Sequence, residues 1–178
     1  MKQPHIVALG GTLRPQSATG ALLDAALSIA AESGARTTLL TGDVIAFPNF
    51  EPEEALASDA ITRFLDVLRS ADGLIIGSPG YHGSLSGMVK NALDHVELLR
   101  GDERVYFDGM PVGLIATAGG WQAAVSTLEA LRTIVHALRG WPTPLGVAVN
   151  TGERGDCVAA AEPQLRLMLN QMRWFLDR

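Results

Sequence analysis

One segment constrains the possible folds of this chain most. It consists of an apolar run, a loop of small residues and an amphipathic helix, in that order. The run over residues 73–77 is typical of a buried parallel strand, and the loop of small residues begins at Ser78. The helix that follows places its apolar side chains on one stripe, which comprises Leu85, Val89, Leu93 and Val96. Open α/β sheets bind ligands in such loops at the carboxyl ends of strands, although the same residues also suit a plain strand-to-helix turn.

Strands alternate with helices along the rest of the sequence. Further strands are predicted over residues 5–9, 37–41, 111–117 and 144–149, and helices over 21–29, 60–68, 125–138 and the segment that starts near Pro163. The predicted fold class is therefore α/β, a five-stranded parallel sheet of order 2-1-3-4-5 between two layers of helices. In this order strands one and three are neighbours, so the loops that follow them meet at one edge of the sheet.

The loop after the first strand has the composition of an anion-binding loop. The hydroxyls of Thr12, Ser17 and Thr19 and the amides at the helix start can converge on one anionic group, to which Arg14 adds a positive charge. The sequence has neither the dinucleotide-binding GxGxxG spacing nor the Gly-Lys-Ser/Thr of nucleoside triphosphatases, which leaves a cradle for a single terminal phosphate. Ser17 is also a natural helix cap, and capping beside a solvated Arg14 is the alternative.

Both loops resemble those of the NAD(P)H-dependent FMN reductases of flavodoxin-like fold, relatives of bacterial quinone, azo-dye and chromate reductases. The family's first loop has roughly the pattern Gly-Ser-x-Arg-x-x-Ser-x-Asn, which residues 11–19 match. Its second has roughly Ser-Pro-Glu-Tyr-Asn-Gly-Ser-x-x-Gly-x-x-Lys-Asn-Ala-x-Asp, matched by residues 78–94, and a third, Thr-x-Gly-Gly, is matched by residues 117–120. The departures are Thr12 for Ser, Thr19 for Asn, Gly80 for Glu and His82 for Asn.

The resemblance implies one FMN-binding domain over residues 1–178 with a flavodoxin-like, three-layer fold. Arg14 is then the main phosphate contact, assisted by the three hydroxyls of the first loop. The second loop lines the edge of the flavin ring, through Pro79, Gly80, Tyr81, His82 and Gly83. The third loop approaches the ring or the ribityl chain, through Thr117, Gly119 and Gly120. Because Gly80 and His82 lie where the family meets the ring, these departures bear on the properties of the flavin.

The resemblance also implies an FMN-dependent NAD(P)H oxidoreductase, which passes hydride from NAD(P)H to flavin and then electrons to free FMN, a quinone or another small acceptor. NADPH is the expected reductant, with NADH as the alternative. No catalytic side chain is expected, because the flavin carries the hydride chemistry. A flavodoxin-like electron carrier without a direct nicotinamide reaction is the second hypothesis, although a net charge of −5 is modest for a carrier that docks through acidity. A flavin-free binding protein is the third.

Composition and the remaining side chains argue against a nucleic-acid-binding protein, a membrane-spanning protein and a metalloprotein. A net charge of −5 gives no general attraction to nucleic acid or anionic membranes, and no apolar run approaches the roughly 20 residues of a membrane span. Cys157 has no second cysteine to pair with, and the four histidines lack metal-ligand spacing, so no metal is expected. The amino terminus passes into a strand without the pattern of a signal peptide, which predicts a cytoplasmic protein.

A homodimer or homotetramer is expected as well. In the family a second subunit covers the open face of the flavin, and residues 88–99 carry more apolar surface than one sheet face needs. His95 is a candidate interface residue. Tyr106 and Phe107 lie in a polar loop and are expected to reach a partner subunit or the nicotinamide rather than the core. Trp121 is expected either to border the site or to cap its helix by hydrophobic contact.

Overall fold

The apolar runs form a parallel sheet in the computed structural model of the chain, which describes residues 3–178. The strands are β1 (His5–Gly10), β2 (Arg36–Leu40), β3 (Gly73–Tyr81), β4 (Ser84–Leu85), β5 (Pro111–Ala118), β6 (Trp141–Pro142) and β7 (Val147–Asn150). The α-helices are α1 (Ala18–Glu32), α2 (Pro52–Leu56), α3 (Asp59–Ser70), α4 (Gly87–Asp94), α5 (Trp121–Ala137) and α6 (Cys157–Leu176). The segments Gly42–Ile45 and His95–Leu99 are 3₁₀ helices.

The strand order confirms the predicted topology, with a refinement at one edge. The hydrogen-bonded order is β2-β1-β3-β5, and two short strands share the position beside β5. β6 pairs with the first residues of β5, and β7 pairs with its last four. The predicted fifth strand therefore starts too early, since β7 begins only at Val147. Pro142 and Pro144 have no amide to donate, which is consistent with the break between the two short strands.

Helices cover both faces of the sheet, as the predicted three-layer arrangement requires. α1 and α6 lie on one face, where Leu23 and Met168 belong to the same buried cluster. α3, α4 and α5 lie on the other, where Phe64, Leu93 and Leu131 belong to a second cluster. The strands β1 and β5 are buried along their whole length, which is typical of a parallel sheet between two helical layers.

The last helix begins earlier than expected. The Asp156 carboxylate accepts hydrogen bonds from the amides of Val158 and Ala159, so it caps α6, which begins at Cys157. Pro163, expected near a helix start, therefore lies inside α6. In the described part of the chain no helix is both long enough and apolar enough to cross a membrane.

The expectations for the segment before β5 are wrong in two places. Phe107 is fully buried in the core, so it covers neither a nicotinamide nor a partner. His95 is 1% exposed, and its ring contacts those of Phe47 and Phe50 at centroid distances of 5.0 and 5.2 Å, so it is not available to an interface. Many of the apolar side chains of residues 88–99 are likewise buried within the chain itself.

Candidate functional site

The carboxyl ends of β1, β3 and β5 lie side by side at one edge of the sheet. Gly10 is in register with Gly77, and Pro79 is in register with Thr117. The Gly11 amide donates a hydrogen bond to the Gly77 carbonyl at 3.1 Å, which fixes the start of the first loop against β3. The three loops singled out in the sequence therefore leave the sheet together. We call this region, residues 10–19, 78–87 and 117–121, the carboxyl edge.

The first loop presents an arginine beside the start of a helix. Ser17 is the N-cap of α1, as predicted, and its Oγ accepts a hydrogen bond from the Gly20 amide at 3.0 Å. The amides of Ala18 and Thr19, in the first turn, have no intrahelical acceptor, and the positive end of the helix dipole favours an anion there. Arg14 is exposed, and its guanidinium makes no hydrogen bond or ion pair with any described residue. The loop therefore offers a free cation beside unpaired amides.

Thr12 shapes the first loop, and a cavity lies along it. The Thr12 hydroxyl oxygen accepts a hydrogen bond from the Arg14 amide at 3.1 Å, a local turn that Thr favours. A cavity of about 510 Å³ lies between this loop, the first turns of α1 and the end of β2, and it is lined by Thr12, Arg14 and Ser17 among others. The cavity adjoins the first loop alone, since none of its lining residues belongs to the second or third loop.

Thr19 lies inside the carboxyl edge rather than on its surface. Its side chain is nearly inaccessible to solvent, and its hydroxyl oxygen is 2.7 Å from that of Thr117, which is also buried. Two predicted binding residues from different loops therefore contact each other, a contact that the motifs did not indicate.

The second loop is a hairpin. β3 continues through the expected loop to Tyr81, and the chain returns as β4, with Tyr81 opposite Ser84. His82 has a φ of 52° and Gly83 a φ of 85°, and positive values at both central residues are what a type I′ turn requires. His resembles Asn in tolerating this conformation better than most residues, so His82 keeps the backbone that the family's Asn allows. The turn leaves the side chains of Tyr81 and His82 exposed.

Gly80 lets helix α5 approach this hairpin. A Cβ at Gly80 would collide with the Thr127 hydroxyl and lie 3.2 Å from the Ala123 carbonyl oxygen. Thr127 is fully buried and donates a hydrogen bond to the Ser84 carbonyl at 3.3 Å. The departure from the family's Glu therefore has a steric reason in this chain, because α5 fills the space that a side chain at position 80 would take.

The remainder of the second motif holds the backbone in place. Ser78 is fully buried, and its Oγ accepts from the Ser86 amide at 2.9 Å and donates to the Pro79 carbonyl at 2.8 Å. The Asn91 side chain accepts from the Phe50 amide at 3.0 Å and bonds two further backbone carbonyls of that segment. Ser78 and Asn91 thus support the backbone of the candidate site, a role that the motif to which both belong does not by itself indicate.

The third loop is open on its outer side. A Cβ placed at Gly119 or Gly120 would meet nothing within 4 Å, so a ligand can come close to this backbone. Trp121 begins α5, and its indole N–H donates to the Glu153 carboxylate at 2.7 Å while 51% of its surface is exposed. Trp121 therefore borders the carboxyl edge, held by a polar contact rather than by a hydrophobic cap.

The sequence model of the family described as "NADPH-dependent FMN reductase" matches residues 4–154, which contain all three loops. The chain belongs to the NADPH-dependent FMN reductase family. Membership confirms the resemblance carried by the three motifs. The family's description also names the two cofactors that the resemblance implies, FMN and NADPH.

Curated relatives match this member of the FMN reductase family over about half of its length. The FMN-dependent NADPH-azoreductase of Staphylococcus aureus (strain USA300) is 43% identical over 84 residues, which are 47% of this chain and 41% of that protein. The protein of the same description in Staphylococcus haemolyticus (strain JCSC1435) is 39% identical over 93 residues, 52% of this chain and 46% of that protein. Each match thus spans less than half of the relative.

Solved structures share the fold at low sequence identity. FerB, a flavoenzyme NAD(P)H:(acceptor) oxidoreductase from Paracoccus denitrificans, superposes with a TM-score of 0.77 at 18% identity, covering 98% of both chains. A WrbA-like flavodoxin protein from Agrobacterium tumefaciens gives a TM-score of 0.66 at 16% identity over 99% of both. A flavodoxin from Pseudomonas aeruginosa gives 0.64 at 14% identity, over 95% of this chain and 99% of that one. These likenesses confirm the predicted flavodoxin-like fold.

Proposed function

We propose that this chain is an FMN-dependent NAD(P)H oxidoreductase that uses NADPH, with NADH as the alternative, to reduce a small-molecule acceptor such as free FMN, a quinone or an azo dye. The observation that carries the proposal is the convergence of three loops at the carboxyl edge, where the Arg14 guanidinium bonds no described residue. Membership in the NADPH-dependent FMN reductase family and the azoreductase names of the curated relatives support it.

The first loop suits the phosphate of FMN. Arg14 can bind two phosphate oxygens at once, and the amides of Ala18 and Thr19 at the start of α1 can donate to the same group. Ser17 accepts from the Gly20 amide, so its own hydroxyl proton stays available to donate. The positive charge and the hydrogen-bond donors of the loop thus suit a dianion. They act locally, because the chain as a whole has a net negative charge.

The hairpin and the third loop suit a flat ring. The hairpin offers the backbone from Pro79 to Gly83 with Tyr81 and His82 beside it, and the third loop offers the uncrowded backbone of Gly119 and Gly120. When bound, FMN supplies the hydride and electron-transfer chemistry. The chain's own residues position the flavin, limit its contact with water and set the charge around it, and no side chain has to act as a general acid or base.

Anaerobic stopped-flow mixing with NADPH tests the proposal against an electron carrier. The FMN-loaded protein is mixed with NADPH, and in a parallel run with NADH, while the visible absorption of the oxidised flavin is followed. In a reductase this absorption falls at a rate that saturates with nicotinamide concentration. The rate also exceeds that of free FMN under the same conditions. Flavin that stays oxidised on the protein with both nicotinamides would contradict the proposal and leave the carrier hypothesis.

Assembly and location belong to the same proposal. We expect one flavin-binding domain over residues 1–178 that forms a homodimer or homotetramer, because a flavin at the carboxyl edge would have one face open. Light scattering at micromolar concentration tests this, and a strict monomer would contradict it. A cytoplasmic location is consistent with Cys157 as the single cysteine, since structural disulfides belong to oxidising compartments.

A further inference from the structure

Two hydroxyl groups contact each other inside the carboxyl edge. Thr19 lies in the first turn of α1, and Thr117 lies near the end of β5. Their Oγ1 atoms are 2.7 Å apart, although the residues are 98 positions apart in the sequence. Thr19 is 1% exposed and Thr117 is 3% exposed, so bulk water hardly reaches either side chain. The contact joins the loop proposed for the phosphate to the loop proposed for the ring.

The two threonine hydroxyls together carry one more proton than the hydrogen bond between them uses. A threonine hydroxyl carries one proton and two acceptor lone pairs. The bond between the two hydroxyls uses one of the two protons, and either oxygen can be its donor. Within residues 3–178 neither hydroxyl makes any other hydrogen bond. One O–H of this buried pair is therefore left without a protein acceptor, and a buried donor of this kind is costly unless something accepts it.

We propose that Thr19 and Thr117 form a directed hydroxyl pair that donates one hydrogen bond to an oxygen of the flavin's ribityl-phosphate chain. The inference rests on the proposed function, because the ligand is the FMN assigned there. The pair joins the two loops proposed for the ends of the flavin, so the chain that connects ring and phosphate is the nearest source of acceptors. One threonine then contacts the ligand, and the other is a positioning residue that donates to the first and fixes the direction of its proton.

The direction of the pair makes the two side chains interdependent. When the contacting hydroxyl donates to the ligand, its proton is committed, so the bond between the threonines must come from the positioning residue. Removal of the contacting hydroxyl also ends the effect of its partner on the ligand. The losses of FMN affinity in the two single variants should therefore not multiply in the double variant.

The test is a double-mutant cycle on FMN binding to the apoprotein, read by quenching of flavin fluorescence. We expect one of Thr19→Val and Thr117→Val to weaken FMN binding by about two- to tenfold, the range for a neutral hydrogen bond. The other variant should lose less, and the double variant should bind as weakly as the worse single one. Thr19→Ser and Thr117→Ser keep the hydroxyl and should retain wild-type affinity. Thermal unfolding of each apoprotein is measured in parallel.

Binding of riboflavin, which lacks the phosphate, shows which part of the flavin accepts the hydrogen bond from the pair. An equal loss for FMN and riboflavin places the bond on the ribityl chain, and a loss confined to FMN places it on the phosphate; both results support the pair. Losses that multiply in the double variant would overturn the inference, as would valine variants that bind FMN like the wild type and differ only in thermal stability. A wild-type protein that does not bind FMN would contradict the proposed function itself and is recognised before any variant is made.

Discussion

Two loops at opposite ends of the sheet both contain arginine and large apolar side chains, but Leu13 and Arg14 of one differ from Phe107 and Arg104 of the other in burial and bonding. In the first loop, over residues 11–17, Leu13 is 61% exposed and the Arg14 guanidinium bonds none of the described residues. In the loop before β5, over residues 100–110, Phe107 is fully buried and Arg104 is hydrogen-bonded. The difference separates a loop that holds the fold together from one that is free to hold a ligand.

Arg104 shows what a structural arginine looks like in this chain. Its guanidinium donates to the carbonyls of Ala71, Leu68 and Arg69, at 2.7, 2.8 and 2.8 Å, around the end of α3. Burial lowers the pKa of the Arg104 guanidinium, nearby carboxylates partly offset this, and the group stays charged at neutral pH. The guanidinium donors of Arg104 thus meet protein acceptors, whereas the Arg14 guanidinium has none among the described residues.

The largest expected contrast concerns the two apolar side chains. Phe107→Ala should lower the free energy of unfolding by about 3–5 kcal/mol, because it opens a cavity in a filled core. Leu13→Ala should change it by less than about 0.5 kcal/mol, because that side chain is largely exposed. Urea denaturation followed by circular dichroism measures both. Equal losses would mean that the first loop is part of the core.

The second largest effect is expected for Arg104, the arginine bonded to the end of α3. Arg104→Ala removes three hydrogen bonds from a charged donor to backbone carbonyls around the end of α3, so we expect a loss of about 2–3 kcal/mol in the free energy of unfolding. FMN affinity, measured at a temperature where the variant is folded, should stay within about twofold of wild type, well below the cost of one charged hydrogen bond. A large fall in affinity with unchanged stability would reverse the roles assigned to the two loops.

Arg14→Ala should show the opposite pattern. A charged hydrogen bond contributes about 1.5–3 kcal/mol, so FMN should bind roughly ten- to a hundredfold more weakly while the unfolding free energy hardly changes. Riboflavin lacks the phosphate, and its affinity should be nearly unaffected. Fluorescence titration of both flavins into wild type and variant checks this. An equal loss for both flavins would mean that Arg14 contacts the ring or supports the loop.

Two capping serines give the smallest contrast. Ser17→Ala and Ser58→Ala each remove a cap, of α1 and α3 respectively, and each should cost about 1 kcal/mol in the free energy of unfolding. Ser17→Ala should also weaken FMN binding, because its hydroxyl lies in the first loop, whereas Ser58→Ala should not. If the two variants bind FMN equally well, Ser17 is only a cap, which is the alternative left open by the sequence.

The fold and the position of the candidate site follow from local patterns in the sequence. Alternating apolar strands and amphipathic helices determine a parallel sheet, and its topology places the loops after β1 and β3 at one edge. Residues 11–19 and 78–83 stand out because small, hydroxyl-bearing and basic residues there follow apolar strands directly. The cap at Ser17 was predictable for the same reason, since N-capping depends on the neighbouring residues alone.

The features that the sequence does not indicate depend on contacts between distant segments. The hydroxyls of Thr19 and Thr117 meet only because α1 lies against the end of β5. Glycine is required at position 80 because Thr127 of α5 occupies the space that a side chain would take. Phe107 is buried by distant core residues, and its polar neighbours in sequence do not indicate this. The sequence does not mark the hairpin, because its turn is His82-Gly83 rather than the Asn-Gly that usually marks such turns.

Hydrogen–deuterium exchange with and without FMN tests most directly that the carboxyl edge binds the flavin. We predict that FMN slows amide exchange in peptides that cover residues 10–20, 78–87 and 117–123, and leaves residues 100–110 unchanged. The first loop should show the largest change, because the amides at the start of α1 have no intrahelical acceptor and gain one in the phosphate. Slowed exchange at residues 100–110, or none at residues 10–20, would contradict the account.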